Sequence, residues 1–173
     1  MTSAVLIEAN AHVLHQGAAL LMQLDDEQYT LTAAPLFAYG VGSHMRHCLD
    51  TYECILRGLP AGRVDYDRRE RDELTARNRR HARTRLLHTL SRLQQIARLN
   101  AHRPLLARQD SPQWTPSSLG RELQMALSHT VHHFALVALI LRLQGVAVAD
   151  DFGVAPSTLQ HWQQPVSEVV CVQ

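Results

Sequence analysis

The chain has few aromatic residues, few cysteines and almost no net charge, and each shortage argues against a class of protein. Phe, Trp and Tyr make up 5% of the 173 residues. That share argues against an all-β sandwich and against stacking platforms for single-stranded nucleic acid. Three scattered cysteines with no CxxC pair are not a disulfide framework and indicate a reducing compartment. A formal net charge of +1 provides no field that would recruit nucleic acid or an anionic membrane.

The sequence also has little that resembles a targeting signal or a membrane span. Residues 1–4 carry neither a basic region nor a small-residue cleavage site. The longest apolar run, residues 134–141, is far shorter than the roughly 20 residues that cross a bilayer. We therefore expect a cytoplasmic protein with no membrane partner.

What the sequence does contain is long stretches of helical hydrophobic periodicity. Four long helices are predicted, at residues 3–24, 35–56, 70–99 and from the residue after Ser117 or Ser118 to Gln144. The segments 61–69 and 100–116 between them are predicted as polar or proline-containing loops. Four long helices joined by short to medium loops predict an all-α fold, a four-helix bundle.

The length and the loop pattern predict one domain over residues 1–173. The bundle would occupy about residues 3–145, since Gly145 suits the left-handed position that ends a helix. Residues 146–173 are expected to form an irregular C-terminal extension, because Gly153, Pro156 and Pro165 interrupt them.

Eleven histidines are the unusual part of the composition, and two of them carry the most information. His129 and His133 are four residues apart in the apolar fourth segment, so on a helix they share one face. Two imidazoles in that arrangement can hold one metal ion. The alternative is a pair of core histidines that are hydrogen-bonded to backbone or carboxylate groups.

A catalytic metal site of the zinc kind takes about three protein ligands, so a third is expected from a facing helix. The second helix offers His44 and His47, which are three residues apart, and either can point inward. Asp50 lies one turn beyond His47 and can accept the second N–H of that imidazole. Glu122 lies seven residues before His129, where it can be a fourth ligand, a hydrogen-bond acceptor or a general base.

The arginine-rich segment 68–85 raises the possibility of nucleic-acid binding. Acidic residues interleave near its start, and the third predicted helix has one polar face. The chain shows no helix-turn-helix signature, and its net charge is near zero. A solvated or ion-paired helix face is therefore the favoured interpretation, and no nucleic-acid partner is expected.

These residues together resemble the DinB-like (DinB/YfiT) superfamily of metal-binding four-helix bundles, over about residues 5–145. The family carries a histidine on its second helix in a short His-x-x-Asp-like motif, which His47 and Asp50 match here. It carries an HxxxH motif on its fourth helix, which His129 and His133 match. The resemblance favours His47 over His44 and implies a divalent metal, zinc or nickel among others, held by three histidines with open positions.

The resemblance also implies candidate functions. Members of the family include thiol S-transferases that use low-molecular-weight thiols, glutathione-linked isomerases and a domain of thiol–histidine sulfoxide synthases, and dimers are common among them. The leading hypothesis is a metal-dependent thiol S-transferase that acts as a homodimer. The alternatives are a metal-dependent hydrolase and a non-catalytic metal-binding or stress-response protein acting as a dimer.

Overall fold

The computed structural model describes residues 3–32, 34–35 and 38–163, and the chain is mostly α-helical within them. The helices in chain order are α1 (Ala4–Gln23), α2 (Asp26–Thr30), α3 (Val41–Gly58), α4 (Glu73–Arg77), α5 (Arg79–Gln95), α6 (Leu119–Leu143) and α7 (Pro156–Gln163). Three short strands form one sheet and are β1 (Arg63–Asp65), β2 (Pro104–Arg108) and β3 (Thr115–Ser118). The all-α prediction is therefore right for most of the chain, and the sheet is what it missed.

The four longest helices pack around a common hydrophobic core. Helix α1 contacts α5 and α6, and α3 contacts the same two helices. Leu14 of α1, Leu49 of α3, Leu86 of α5 and Phe134 of α6 are all fully buried. Burial of these side chains drives the packing and fixes which faces of α3 and α6 meet.

The second predicted helix begins later than expected, at Val41 rather than near Pro35. Residues 36–37 of that prediction lie outside the described residues. The segment after α1, predicted as a loop, contains the one-turn helix α2. A capping box stabilises the start of α2. The side chains of Asp25 and Gln28 each accept a hydrogen bond from the other residue's backbone N–H, at 2.8 and 2.9 Å.

The third predicted helix, residues 70–99, is two helices that meet at Asn78. The backbone of Asn78 is extended, and its side-chain oxygen accepts a hydrogen bond from the N–H of His81 at 2.9 Å. An asparagine side chain that bonds its own backbone in this way favours a helix start over a helix interior. The side chain of Asp72 caps α4 in the same manner.

The sheet is built from the two segments that were predicted as loops. Strand β2 lies in the middle, parallel to β1 and antiparallel to β3. Val64 and Leu105 are buried and anchor the sheet to the core. The guanidinium of Arg108 lies 4.9 Å from the centroid of the Trp114 ring. The sheet holds the chain against the first turn of α6.

Helix α6 begins and ends where the sequence predicts. Ser118 accepts a hydrogen bond from the N–H of Arg121 at 3.3 Å and caps the start, and Gly145 with φ of 74° follows the end. By length and composition alone, α6 is long and apolar enough to cross a membrane. A core helix of a folded domain meets the same criterion, and α6 packs against α1 and α3. The cytoplasmic location stays a prediction.

The described part of the C-terminal extension packs on α6 and contains one short helix. Phe152 stacks on Phe134 of α6, with ring centroids 4.8 Å apart and an interplanar angle of 10°. Gly153 has a φ of 73°, and a Cβ there would lie 2.6 Å from the backbone of Phe134. Helix α7 follows, and the rest of the predicted extension, including Pro165, lies outside the described residues.

Candidate metal centre

Helices α3 and α6 bring His47, His129 and His133 together. One ligand-type atom from each of the three residues lies within 4.8 Å of the others, and all three side chains are partly buried. The ring of His47 lies 4.8 Å from each of the other two rings, which are 4.5 Å apart, measured between centroids. We call these three residues the histidine triad. It combines His129 and His133, which their spacing pairs, with His47, which the family resemblance favours over His44.

The surroundings of the triad favour the neutral form of each imidazole. Burial lowers the pKa of His47 to about 4 and the pKa of His133 to about 3, and the neighbouring imidazoles push both in the same direction. Burial also lowers the pKa of His129. The positive charge of Arg69, just after the sheet's first strand and turn, adds to the lowering at His47 and His129. Arg69 was not singled out from the sequence, because it reaches the site only through tertiary packing.

His44, the alternative ligand on α3, contacts the triad without joining it. Its Nδ1 atom lies 2.9 Å from Nδ1 of His133, so one of these rings donates its N–H to the other. The contact leaves Nε2 of His133 free of that bond. A hydrogen bond on one ring nitrogen orients an imidazole whose other nitrogen binds a metal. The structure therefore places His44 as an orienting neighbour of His133.

Asp50, expected to accept from His47, is engaged elsewhere. It is 2% exposed, and its carboxylate accepts from Arg46 at 3.2 Å and from Arg85 at 3.5 Å. Burial raises the pKa of Asp50 against the opposing charges of the two arginines. No bond between Asp50 and His47 occurs in the part of the chain that the structure describes. The motif's aspartate instead ties α3 to α5.

Glu122 is also separate from the triad. It is 5% exposed, and one carboxylate oxygen accepts a hydrogen bond from the Tyr66 hydroxyl while the other accepts from the Ser117 hydroxyl. Seven residues of helix put about 10.5 Å of rise between it and His129. Glu122 is thus part of a second polar cluster, where the sheet meets the start of α6. Its two partners lie in segments predicted as loop or helix cap, and no local pattern indicates the cluster.

A buried hydrogen-bond network lies next to His129 on α6. The Tyr52 hydroxyl donates to the side-chain oxygen of Asn10 at 2.7 Å and lies 3.3 Å from the hydroxyl of Thr130, which itself donates to the carbonyl of Ala126 at 2.8 Å. Asn10 in turn donates to the carbonyl of Leu123 at 3.2 Å. These bonds join α1, α3 and α6, so they fix the relative positions of the two helices that carry the triad.

Cavities open on two sides of the triad. One of about 230 Å³ is lined by residues of α3 and by Tyr39, and it reaches His47 and His133. A second of about 530 Å³ runs along α6 and reaches His129 and the exposed His132. Within the described part of the chain, the two cavities share no lining residue. The triad is therefore approachable from solvent on two sides.

Comparison with known proteins shows no family for the chain. No family model matches it, and no solved structure matches it. It is similar to FK506-binding protein 5 of Rhizopus delemar, with 33% identity over 104 residues, which cover 57% of this chain and 27% of that protein. The chain thus spans about a quarter of that relative's length. The similarity by itself assigns neither a family nor an activity to the chain.

Proposed function

We propose that this chain is a DinB-like four-helix bundle that binds a divalent metal ion, zinc or nickel, through His47, His129 and His133. The closed ring of contacts among α1, α5, α3 and α6 supports the bundle. The convergence of three imidazoles from two facing helices supports the metal site. That convergence is the single observation on which the proposal rests, since bundle sites are built from side chains of facing helices.

The donor atoms fit a metal ion of this kind. Nε2 of His129 is buried and has no hydrogen-bond partner among the described residues. A buried polar atom without a partner costs free energy, which a metal bond would recover. The low pKa values of His47 and His133 keep their nitrogens unprotonated, as metal ligation requires. Three imidazoles, with no fourth ligand grouped with them among the residues that the structure describes, are the donor set of a catalytic rather than a structural zinc site.

The charges around the triad favour an anionic ligand from solution. The triad contributes no negative charge, and the positive charge of Arg69 acts on His47 and His129, whereas that of Arg46 is paired with Asp50. A bound divalent ion would supply Lewis acidity and lower the pKa of a thiol or water that binds at its open position. The three histidines would hold the ion through unprotonated ring nitrogens. The adjoining cavities would leave room for an anion.

Among reactions, we favour transfer of a low-molecular-weight thiol to an electrophile. Hydrolysis would require a general base beside the triad. The two candidate carboxylates, Asp50 and Glu122, instead accept hydrogen bonds from other side chains. The two cavities at the triad favour an enzyme over a non-catalytic metal-binding protein, which needs no access for substrates. The homodimer and the cytoplasmic location are proposed with this function, on the family resemblance.

Metal binding is tested by elemental analysis and cobalt spectroscopy on the full chain. We expect about one equivalent of metal per chain and a tetrahedral or five-coordinate cobalt spectrum, with both lost in His129→Ala. His88→Ala, which removes an exposed histidine of α5, is the matched control and is expected to bind normally. Metal below about one-tenth equivalent in the unaltered protein, or equal binding in His129→Ala, would overturn the metal site.

The reaction class is tested on the metal-loaded protein. Alkylation of a low-molecular-weight thiol by monobromobimane forms a carbon–sulfur bond and releases bromide and a proton. Its rate is expected to exceed that of the His129→Ala variant by more than tenfold, since the variant lacks the site that activates the thiol. Ester or amide turnover in the absence of such thiol transfer would contradict the thiol proposal and favour the hydrolase.

A further inference from the structure

One stripe of helix α6 carries a triad histidine together with two chemically different side chains that the proposed metal site does not explain. Arg121, Met125 and His129 are spaced four residues apart, so they line up along one face of the helix. Arg121 is exposed, Met125 is half-buried, and His129 belongs to the triad. The stripe therefore leads from a positive charge, over an apolar thioether, to a proposed metal ligand.

The same stripe lines two neighbouring cavities. The cavity of about 530 Å³ that reaches His129 shares Gln109, Arg121 and Met125 with a neighbouring cavity of about 310 Å³. The neighbouring cavity ends at Glu122 and the sheet. Because three residues line both, the two cavities adjoin, and we call the two together the α6 groove. A ligand in it can touch Arg121 and His129 at once.

Arg121 is the side chain that gives the α6 groove its accessible charge. The guanidinium of Arg108, which also lines the groove, is paired with the carboxylates of Asp65 and Asp67. The carboxylate of Glu122 is buried and already accepts two hydroxyl hydrogen bonds. Arg121 makes no ion pair with an acidic residue in the segments that the structure describes. An exposed, uncompensated guanidinium is a ready partner for a carboxylate.

We propose that the α6 groove binds a small organic anion, with its carboxylate on Arg121, its apolar middle over Met125 and its other end at the triad. The eight residues from Arg121 to His129 rise about 12 Å, which a ligand of about dipeptide size can bridge once the arginine side chain leans toward it. The proposal deepens the proposed function by naming its substrate class. Only the end of the ligand at the triad depends on the metal.

The carboxylate end is tested on the metal-free full chain, so that the result does not depend on the metal site. Hexanoate and hexanol are titrated while the side-chain resonances of Arg121 and Gln109 are followed by NMR. We expect hexanoate to shift both resonances and to bind about fivefold to tenfold more tightly than hexanol, the gain typical of one exposed charge-assisted bond. Equal binding of the two compounds, or shifts confined to other arginines, would overturn the anion site.

Two arginine variants separate a specific contact from general charge. Arg121→Gln is expected to abolish the preference for hexanoate. Arg142→Gln removes an exposed arginine from the far end of the same helix and is expected to leave the preference intact. Both positions are exposed, so neither change is expected to disturb folding, which circular dichroism checks. Loss of the preference in both variants, or in neither, would contradict a contact with Arg121.

The second end is tested on cobalt-loaded protein with mercaptohexanoate and mercaptohexanol. A thiolate-to-cobalt absorption band is expected with both thiols, at about fivefold lower concentration for the carboxylate. Arg121→Gln is expected to remove that difference without changing cobalt affinity. If the protein binds no cobalt, the metal site fails and the hexanoate titration alone decides the groove. If cobalt binds and the two thiols behave alike, the groove fails and the metal site stands.

Discussion

The neutral triad predicts a loss of stability at mildly acid pH in the metal-free protein. In the unfolded chain, His47 and His133 have pKa values near 6.5, and in the folded chain these fall to about 4 and about 3. Between these values the unfolded state binds more protons than the folded state, so stability decreases as pH falls from 6.5. From pH 7 to pH 5 the cost is about 2 kcal/mol per ring. Water reaches the partly exposed rings and screens their charges, which reduces this cost. We therefore expect the two rings together to destabilise the fold by about 2–3 kcal/mol.

The assay is urea unfolding at pH 7 and pH 5 in the presence of a chelator. The double variant His47→Gln, His133→Gln cannot take up these protons, so its decrease between the two pH values is expected to be about 2–3 kcal/mol smaller than that of the unaltered protein. The double variant His12→Gln, His88→Gln alters two exposed histidines and is expected to behave like the unaltered protein. An equal decrease in the triad variant and the unaltered protein would refute the reasoning.

Three further substitutions test the surroundings of the triad, each by urea unfolding at pH 7. Tyr52→Phe leaves the buried side-chain oxygen of Asn10 without its donor and is expected to cost about 1–3 kcal/mol, and no change would contradict the network. Gly153→Ala places a Cβ against the backbone of Phe134 at positive φ and is expected to cost more than about 1 kcal/mol, whereas stabilisation would mean that the extension is not docked on α6. Asn78→Ala removes a helix cap and is expected to cost about 1 kcal/mol, and an unchanged midpoint would contradict the break between α4 and α5.

The long helices could be predicted from the sequence because their signals are local. The start of α6 at Ser118 and its end before Gly145 follow from a cap and a left-handed glycine, which need no tertiary information. The break at Asn78 was missed because the leucines on either side of it were assigned to one helix, although its capping side chain is itself a local signal. The sheet could not be predicted, since strands of three to five residues from distant segments pair only after the helices have packed.

The triad could be predicted for a similar reason, and its surroundings could not. The spacing of His129 and His133 places both side chains on one face of α6. A histidine of the facing helix α3 completes the group. The spacing alone did not separate His47 from His44, and the motif's Asp50 proved to pair with arginines instead. Such pairings depend on how α3 is rotated about its axis relative to α5. The hydrophobic pattern indicates the buried face of each helix but does not define that rotation closely enough to pair individual side chains.

X-ray absorption spectroscopy of the zinc-loaded full chain tests the central claim most directly. The account predicts one zinc per chain with three imidazole nitrogens at about 2.0–2.1 Å, completed by a light atom from solvent. Addition of mercaptohexanoate is expected to introduce one sulfur at about 2.3 Å while the three imidazoles stay. A first coordination sphere with fewer than three imidazoles, or one unchanged in His129→Ala, would contradict the account.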